Sequence, residues 1–535
     1  MNRICSSFAS VVIISILSLF ISSCKENPAR YISVDDMKRV VRDLSDDSFM
    51  GRKPFTEGER LSVEYIAKEL SDIGFEPAFG DSYYQEVPMI QITSKVNGSA
   101  KIIVKGEELI LSAPDQIAVS SPSPEENIEI KNSKLVFCGF GIVAPEYGWD
   151  DFKGIDLKGK TVVVLINDPG LYSQEKSIFK GNEMTYYGRW TYKWEQAAKL
   201  GAEGILIIHD ELGAGYGFNV PRNSSITSRL FIDNRDILKN SKLTGWLTAE
   251  SATEIFSKMG YSLEDLRAIS LKASFVPFET DAVISVNIDN HIEKNSSKNV
   301  AGILRGGKTP DEAVIITAHW DHFGVGEKQS GDSIYNGAVD NGTTMAWAFE
   351  IGRVISKQRS KPDRSVILLF PTAEEQGLTG SYYYVANPVI PIEKTIACLN
   401  NDMMVPRGKM RDITMIGYGY STLDSLYEKF ATDMDRYLLP DPSSHTGLFF
   451  RSDHFPFYKA GVPSIWAMGC FDSREHGKEW AEQSWDYFIK SVYHRPSDNY
   501  NQNWDWAGVV EDTELALRVV LWLTSSTNPR PKLLN

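Results

Sequence analysis

Apolar residues recur at helical spacing near the start of the chain. They are Val63, Ile66, Leu70 and Ile73. This spacing predicts a helix over residues 59–73 with one buried face, and Gly74 stands where a helix commonly ends. Thr56 and Glu59 have the spacing of a capping box, in which each side chain bonds the other residue's backbone N–H.

A change of pattern begins near residue 94, where short apolar runs alternate with turn residues. The clearest predicted strands cover residues 100–104, 135–143 and 161–166. A helix over residues 194–200, a stop at Gly201 and a buried strand over residues 202–208 follow. Long alternating strands return over residues 271–288, so the whole section is predicted to be β-rich.

From residue 299 onward, apolar runs alternate with a helical pattern. The predicted strands cover residues 314–317, 366–370 and 395–399, and a helix covers residues 343–355. Near-continuous apolar strands separated by helices are typical of a parallel sheet that is buried on both faces. The predicted fold class is therefore α/β, with a largely parallel, mixed sheet covered by helices. Ligands of such sheets bind at the carboxyl ends of the strands.

The first 24 residues have the features of a secretion signal. Residues 8–21 are apolar apart from three serines, which is too short to span a bilayer of about 30 Å but suits a signal peptide. Ile21-Ser22-Ser23-Cys24 resembles the bacterial lipobox. We therefore expect a signal peptide over residues 1–23 and a lipid anchor on Cys24. The protein would then be a lipoprotein of the bacterial cell envelope, periplasmic or outer-surface facing, with no other membrane attachment. A plain cleaved signal is the alternative, and which membrane and face are used stays open.

Charge and cysteine content exclude two classes of protein. The formal net charge of −14, from 56 basic and 70 acidic residues, argues against the broad basic surface that nucleic-acid binding requires. Five cysteines in 535 residues, without a Cys-x-x-Cys pair, do not make a disulfide scaffold. Once Cys5 and Cys24 are set aside, Cys138, Cys398 and Cys470 remain, so at most one disulfide forms and its partners are open.

Acidic and histidine residues follow the predicted strands of the last section. His319 comes after the strand over residues 314–317, and Asp402 after the strand over residues 395–399. Others of the same kind are Asp340, Glu374, Glu375 and His494. Two imidazoles and several carboxylates form a ligand set that suits zinc.

The order of these motifs resembles metallopeptidase family twenty-eight, which includes leucyl-type aminopeptidases and the glutamate carboxypeptidase II group. The motifs are His319-x-Asp321, Gly337-Ala338-Val339-Asp340-Asn341, Glu374-Glu375-Gln376-Gly377-Leu378-Thr379-Gly380-Ser381 and Tyr493-His494-x-x-x-Asp498. The resemblance implies a zinc exopeptidase fold and two Zn²⁺ ions. It also includes Gly51-Arg52 and Arg451-Ser452-Asp453-His454.

The β-rich section resembles a protease-associated domain, a non-catalytic insertion in several peptidases. The resemblance rests on Cys138-Gly139-Phe140-Gly141, Trp149-Asp150-Asp151-Phe152 and Ala197-Ala198-Lys199-Leu200-Gly201-Ala202. We therefore expect the signal peptide over residues 1–23 to be followed by the first part of the peptidase domain, residues 24–95. The insertion then covers residues 96–282, and the catalytic domain residues 283–535.

The family pattern implies a metal-binding role for five residues. Asp340 would bridge both zinc ions with its two carboxylate oxygens. His319 and Asp402 would complete the protein ligands of one ion, and Glu375 and His494 those of the other.

The same resemblance implies catalytic roles beside the metals. Glu374 would act as general base toward a zinc-activated water. Tyr493 would donate a hydrogen bond to the developing oxyanion. Asp321 is placed two residues from His319 to accept the second N–H of its imidazole.

Four residues outside this set are candidates for contact with substrate. Asp453 and His454 are expected to shape the substrate-side loop or to contact substrate, with a purely structural role equally open. Arg451 and Arg495 are candidates for binding a substrate carboxylate.

The expected function is zinc-dependent exopeptidase action on peptides outside the cytoplasm, with an aminopeptidase favoured. A carboxypeptidase for acidic dipeptide-like substrates and a single-zinc glutaminyl cyclase are the enzymatic alternatives. A receptor-like binding protein without activity is the third, and the presence of all five ligands together with Glu374 argues against it. Residue preference and oligomeric state stay open.

Overall fold

The computed structural model describes residues 28–534, except residues 174, 176 and 234–240. The predicted signal peptide, residues 1–23, and Cys24 lie outside the described residues. Across the ranges that are described, no helix is both long enough and apolar enough to cross a membrane.

The structure alternates helices and strands over most of its length. Its helices of eight or more residues are α1 (Val34–Leu44), α2 (Glu57–Asp72), α3 (Trp190–Lys199), α4 (Asn219–Ile226), α5 (Ala249–Lys258), α6 (Leu263–Ser270), α7 (Thr344–Ser356), α8 (Thr379–Ala386), α9 (Leu423–Thr432), α10 (Gly477–Ser491) and α11 (Ala507–Leu523). Its strands of four or more residues are β1 (Tyr84–Val96), β2 (Ala100–Val104), β3 (Glu107–Leu111), β4 (Ile117–Ser120), β5 (Asn127–Phe137), β6 (Lys160–Leu165), β7 (Gly204–Ile208), β8 (Arg229–Ile232), β9 (Leu243–Leu247), β10 (Phe278–Leu304), β11 (Thr309–Thr317), β12 (Gly324–Gln329), β13 (Asp332–Tyr335), β14 (Arg364–Phe370), β15 (Thr395–Asn400), β16 (Asp412–Ile416), β17 (Tyr437–Pro440) and β18 (Ser464–Met468).

Four neighbouring parallel strands form the centre of the C-terminal sheet, in the order β14, β11, β15, β18. The end of β10 pairs antiparallel with β14 on one side. On the other side β16 pairs antiparallel with β18 and parallel with β17. The α/β fold class with a largely parallel, mixed sheet is thus confirmed. Because the four central strands are parallel, their carboxyl ends meet at one edge of the sheet.

The middle section has its own parallel strands, in the order β5, β6, β7, β9, with β4 antiparallel to β9. The long strand β10 joins the two parts, because it pairs with β1 and β5 before it reaches the C-terminal sheet. It runs across the predicted boundary at residues 282 and 283, and β1 runs across the boundary at residues 95 and 96. The domain limits stay a prediction.

Burial follows the apolar pattern of the sequence. Every residue of β14 is buried, and so are the last five of β11, because helices such as α7 and α11 cover this sheet. The middle section has separate hydrophobic clusters, built chiefly from residues between Ala100 and Ile288. Cys138, Cys398 and Cys470 are buried free thiols, so no disulfide links them.

Two local predictions were wrong. The strand predicted over residues 135–143 ends at Phe137, and the chain turns there through Gly139, whose φ is +53°. The predicted capping box does not form, because the Thr56 hydroxyl donates to the carbonyl of Lys53 instead. Glu59 accepts the backbone N–H of Phe55 rather than that of Thr56.

Candidate metal centre

Three strand ends and two loops bring the predicted site residues together. His319 follows β11, Glu374 and Glu375 follow β14, and Asp402 follows β15, all at the same edge of the parallel sheet. Asp340 precedes α7, and His494 lies between α10 and α11.

The Asp340 carboxylate lies between the two histidines. The Nε2 atom of His319 is 3.3 Å from its Oδ1, and the Nε2 atom of His494 is 3.1 Å from its Oδ2. Each histidine also approaches a second carboxylate. The Nε2 atom of His319 is 3.6 Å from Oδ1 of Asp402, and that of His494 is 3.2 Å from Oε2 of Glu375. The five side chains therefore form two groups of donor atoms that share Asp340.

The donor set fits zinc, because three of its buried atoms lack a hydrogen-bond partner and the atoms have suitable separations. His319 Nε2, Asp340 Oδ1 and Asp402 Oδ1 are buried and have no hydrogen-bond partner. A tetrahedral zinc with ligand bonds of about 2.0–2.2 Å keeps neighbouring donor atoms about 3.3–3.6 Å apart. The separations of 3.1–3.6 Å lie at or close to that range. A divalent cation would also balance the carboxylates that burial withdraws from water.

The loop that carries Asp340 is held by a second carboxylate. Asp498 accepts the backbone N–H of Val339 at 2.9 Å and that of Asp340 at 3.0 Å. Gly337 begins the loop with φ +58°, and a Cβ atom there would lie 2.2 Å from the carbonyl oxygen of Asp340. Only glycine fits this position, because both the backbone angle and the space exclude a side chain.

Arg52 joins the two loops behind the site. Its buried guanidinium donates to the carbonyl oxygens of Trp320 at 2.8 Å and Gly337 at 2.9 Å. Burial lowers the pKa of Arg52 to about 10, and nearby carboxylates such as Asp498 and Asp340 oppose the shift. Arg52 therefore positions the segments of both His319 and Asp340.

Asp402 is oriented by a short chain of hydrogen bonds. The Ser452 hydroxyl donates to its Oδ2 at 2.9 Å, and Asn400 donates to Ser452 at 2.8 Å. This leaves Oδ1 of Asp402 directed toward His319.

His322 is a site residue that the sequence pattern did not single out. Its Nδ1 lies 2.6 Å from Oε1 of Glu375, so the ring N–H donates to that carboxylate. It also belongs to a compact set with Asp340 and Glu375 whose donor atoms lie within 4.8 Å of one another. The available signal was its place three residues after His319, in the same loop beyond β11.

The role predicted for the Asp321 side chain needs a correction. The Nδ1 atom of His319 is 3.1 Å from the backbone carbonyl of Asp321 and 3.9 Å from its carboxylate. The carbonyl therefore accepts the imidazole N–H. The carboxylate of Asp321 instead accepts the backbone N–H of Glu374 at 3.0 Å. Burial raises the pKa of Asp321 to about 7.

Glu374 lies beside the first group of donors. Its Oε2 is 3.8 Å from Nε2 of His319, longer than the other separations around that atom. Burial raises the pKa of Glu374 well above its usual range, and the Glu375 and Asp402 carboxylates add to the rise, while His319 opposes it. The side chain lines an adjoining cleft of about 970 Å³.

The remaining candidates differ in whether they line the cleft. Tyr493 lines the cleft, and its ring stacks on His494 with the centroids 3.6 Å apart. Arg451 also lines the cleft, whereas Arg495 is exposed and contacts Gln329. Asp453 and His454 are fully buried, and Asp453 accepts the hydroxyl of Ser381. Burial lowers the pKa of His454 to about 3, so this ring is neutral.

A comparison with protein families decides the class of the C-terminal part. Residues 299–520 match the family model described as peptidase family M28. These residues form an M28 peptidase domain. The domain contains every predicted metal ligand, together with Glu374, Tyr493, His322 and Asp498.

Curated relatives match parts of the chain. Aminopeptidase NAALADL1 of Mus musculus is 33% identical over 133 residues, which is 24% of this chain and 16% of that protein. Carboxypeptidase Q of Xenopus laevis is 26% identical over 192 residues, 34% of this chain and 39% of that protein. An aminopeptidase of Pseudomonas aeruginosa strain UCBPP-PA14 is 28% identical over 266 residues, 46% of this chain and 45% of that protein. The chain thus spans less than half the length of each of these three relatives.

The M28 domain does not include the whole cleft. Arg189, Trp190 and Arg229 line it from the middle section, which lies outside the matched residues. The identity of that section as a protease-associated domain stays a prediction.

Proposed function

We propose that the chain is a zinc-dependent exopeptidase with two zinc ions and that it acts as an aminopeptidase. The observation that carries the proposal is the position of Asp340 in an M28 domain, with one carboxylate oxygen toward His319 and the other toward His494. Two of the relatives above, from mouse and Pseudomonas aeruginosa, are named aminopeptidases, which favours attack at the amino end of a peptide.

Five residues would hold the metals. His319, Asp402 and Oδ1 of Asp340 would bind one ion, and Glu375, His494 and Oδ2 of Asp340 the other. When bound, a zinc pair polarises the scissile carbonyl and lowers the pKa of the attacking water.

Glu374 would act as the general base. It lies beside the donor group of His319 and lines the cleft, so its carboxylate can accept a proton from water and return it to the leaving amine. Asp321 positions Glu374 by accepting its backbone N–H. Tyr493, in the same cleft, would donate to the oxyanion that forms on the substrate carbonyl.

The chain would work at the cell envelope as a lipoprotein anchored through Cys24. This part of the proposal rests on residues 8–21 and on Ile21-Ser22-Ser23-Cys24 alone. A radiolabelled fatty acid should be incorporated into the wild-type protein in expressing bacteria and not into the Cys24→Ala variant. Absence of label from the wild-type protein would contradict the anchor.

Peptides blocked at one end test the catalytic proposal. The zinc-loaded protein should hydrolyse Leu-Ala-Ala and its C-terminal amide, but not N-acetyl-Leu-Ala-Ala, when free amines are measured. Cleavage of only those peptides that have a free carboxyl end would show a carboxypeptidase. Cyclisation of an N-terminal glutamine peptide would show a glutaminyl cyclase. Absence of turnover on all of them would overturn the enzymatic proposal.

A further inference from the structure

Three arginines line the cleft that also contains the candidate metal centre. They are Arg189, Arg229 and Arg451, and we call them the arginine cluster. Arg189 and Arg229 come from the middle section, whereas Arg451 belongs to the M28 domain. The cluster is therefore assembled only when the two parts of the chain fold together.

In the part of the chain that the structure describes, the arginine cluster contacts aromatic rings and a carbonyl, and none of its guanidinium groups forms an ion pair with a carboxylate. Asp441 interacts electrostatically with Arg451 but forms no ion pair with it. The guanidinium carbon of Arg229 lies 4.8 Å from the ring centroid of Trp194, and that of Arg189 lies 6.0 Å from Trp190. Arg451 lies over Tyr216 at 5.8 Å and donates to the carbonyl of Thr446 at 2.8 Å. Aromatic faces hold a guanidinium in place without neutralising its charge.

Burial makes the charge of Arg189 costly, whereas Arg229 and Arg451 are half-buried. Arg189 is only 7% exposed, and its Nε has no hydrogen-bond partner. Burial lowers the pKa of both Arg189 and Arg229 to about 10, and the positive charge of Arg451 adds to the shift at Arg189. A buried cation without a counter-charge is unfavourable, and an anion entering the cleft would relieve that cost.

Acidic residues also line this cleft. Helix α10 contributes Glu479, Glu482 and Asp486 to its lining. These carboxylates repel an anion, while the arginine cluster attracts it. Because the acidic and basic residues belong to different elements of the lining, they would favour one orientation of a bound peptide.

We propose that the arginine cluster binds a carboxylate of the peptide substrate, so that the middle section contributes to substrate selection. The carboxylate belongs either to an acidic side chain or to the C-terminus, since both have the planar pair of oxygens that a guanidinium fork recognises. The inference rests on the proposed function, because it takes the ligand of the cleft to be a peptide.

Matched peptides test the inference by equilibrium binding. Isothermal titration of the zinc-loaded Glu374→Gln variant avoids turnover. Two pairs test an acidic side chain: Leu-Glu-Ala amide against Leu-Gln-Ala amide, and the corresponding peptides with Glu or Gln in third position. A third pair tests the C-terminus and consists of Leu-Ala-Ala with a free or an amidated carboxyl end. We expect the carboxylate member of at least one pair to bind about 10- to 100-fold more tightly than its neutral partner. The pair that responds identifies the source of the carboxylate.

Arginine variants in the same background test the cluster itself. Arg189→Met, Arg229→Met and Arg451→Met should each reduce the preference at least about threefold, and Arg189→Lys should retain part of it. The control is Arg222→Met, because Arg222 is half-exposed, does not line the cleft and pairs with Asp115. The carboxylate preference of this variant should equal that of the parent. Thermal unfolding identifies any variant that does not fold. If Arg189→Met does not fold, Arg451→Met still tests the arginine cluster, because Arg451 is only half-buried.

The outcomes separate this inference from the proposed function. Equal affinity within every pair, or a preference that survives all three methionine substitutions, would overturn the inference. Hydrolysis of Leu-Ala-Ala amide by the wild-type protein would in that case still support the exopeptidase. A preference without hydrolysis of any peptide would support the arginine cluster and contradict the exopeptidase.

Discussion

The Nε2 atom of His494 lies 3.1 Å from Oδ2 of Asp340. The other oxygen of the same carboxylate faces His319, which lies on a loop 175 residues earlier in the chain, at the end of β11. A carboxylate in this position has one oxygen available to each of two metal ions. Asp340 is therefore the residue on which both proposed zinc positions depend.

Replacement of Asp340 should consequently affect both positions. Asp340→Ala should lose both zinc ions, whereas His319→Ala should lose one, because only Asp340 supplies an oxygen to each donor group. Zinc content per chain, measured by elemental analysis after gel filtration, checks this difference. The matched control is His291→Ala, an exposed histidine of β10, which should keep the wild-type content. Equal losses in the Asp340 and His319 variants would contradict the bridging role.

Glu374→Gln should separate catalysis from metal binding. Glutamine keeps the shape of the side chain but cannot accept the proton, so kcat should fall about 10²- to 10⁴-fold with zinc content unchanged. Peptide hydrolysis and zinc analysis of one preparation check both expectations. Glu327→Gln, at an exposed position of β12, is the control and should keep full activity. More than a tenth of the wild-type turnover in Glu374→Gln would exclude its role as the base.

Asp498 should influence zinc affinity although it is not a predicted ligand. In Asp498→Asn an amide N–H₂ replaces one of the oxygens that accept the N–H groups of Val339 and Asp340. The loop should then hold Asp340 less firmly, and zinc affinity should fall about 10- to 100-fold. Competition with a chelator of known affinity measures the change. Asp505→Asn removes an exposed carboxylate that accepts the N–H of Ala507, and should leave zinc affinity unchanged.

His322 should act through Glu375. His322→Phe removes the donor to Oε1 of Glu375 and should weaken zinc binding about 10- to 100-fold at the position of His494. His322→Asn places an amide N–H₂ near the former Nδ1 and should restore part of the affinity. The same chelator competition checks both variants. Identical affinities in the two variants would show that the hydrogen bond does not contribute.

The sequence was sufficient for the strands that carry the site, because their apolar runs are nearly continuous. The predicted run over residues 366–370 lies within Arg364–Phe370, and Glu374 and Glu375 follow it as expected. Parallel pairing then explains why residues far apart in sequence meet at one edge.

Contacts that depend on the exact direction of the backbone were not predictable. The spacing of His319 and Asp321 suggested a bond between their side chains, but the loop turns the carbonyl of Asp321 toward the ring and its carboxylate toward Glu374. Arg189 and Arg229 gave no signal at all, because only the folded chain brings the middle section to the cleft of the M28 domain.

Zinc titration of the metal-free, full-length protein, with peptide hydrolysis followed at each addition, shows how many zinc ions the site binds and how many it needs. We predict saturation at two zinc ions per chain, with hydrolysis of Leu-Ala-Ala amide rising to its maximum as the second ion binds. Failure to bind zinc, or full activity with a single ion per chain, would contradict the two-zinc site.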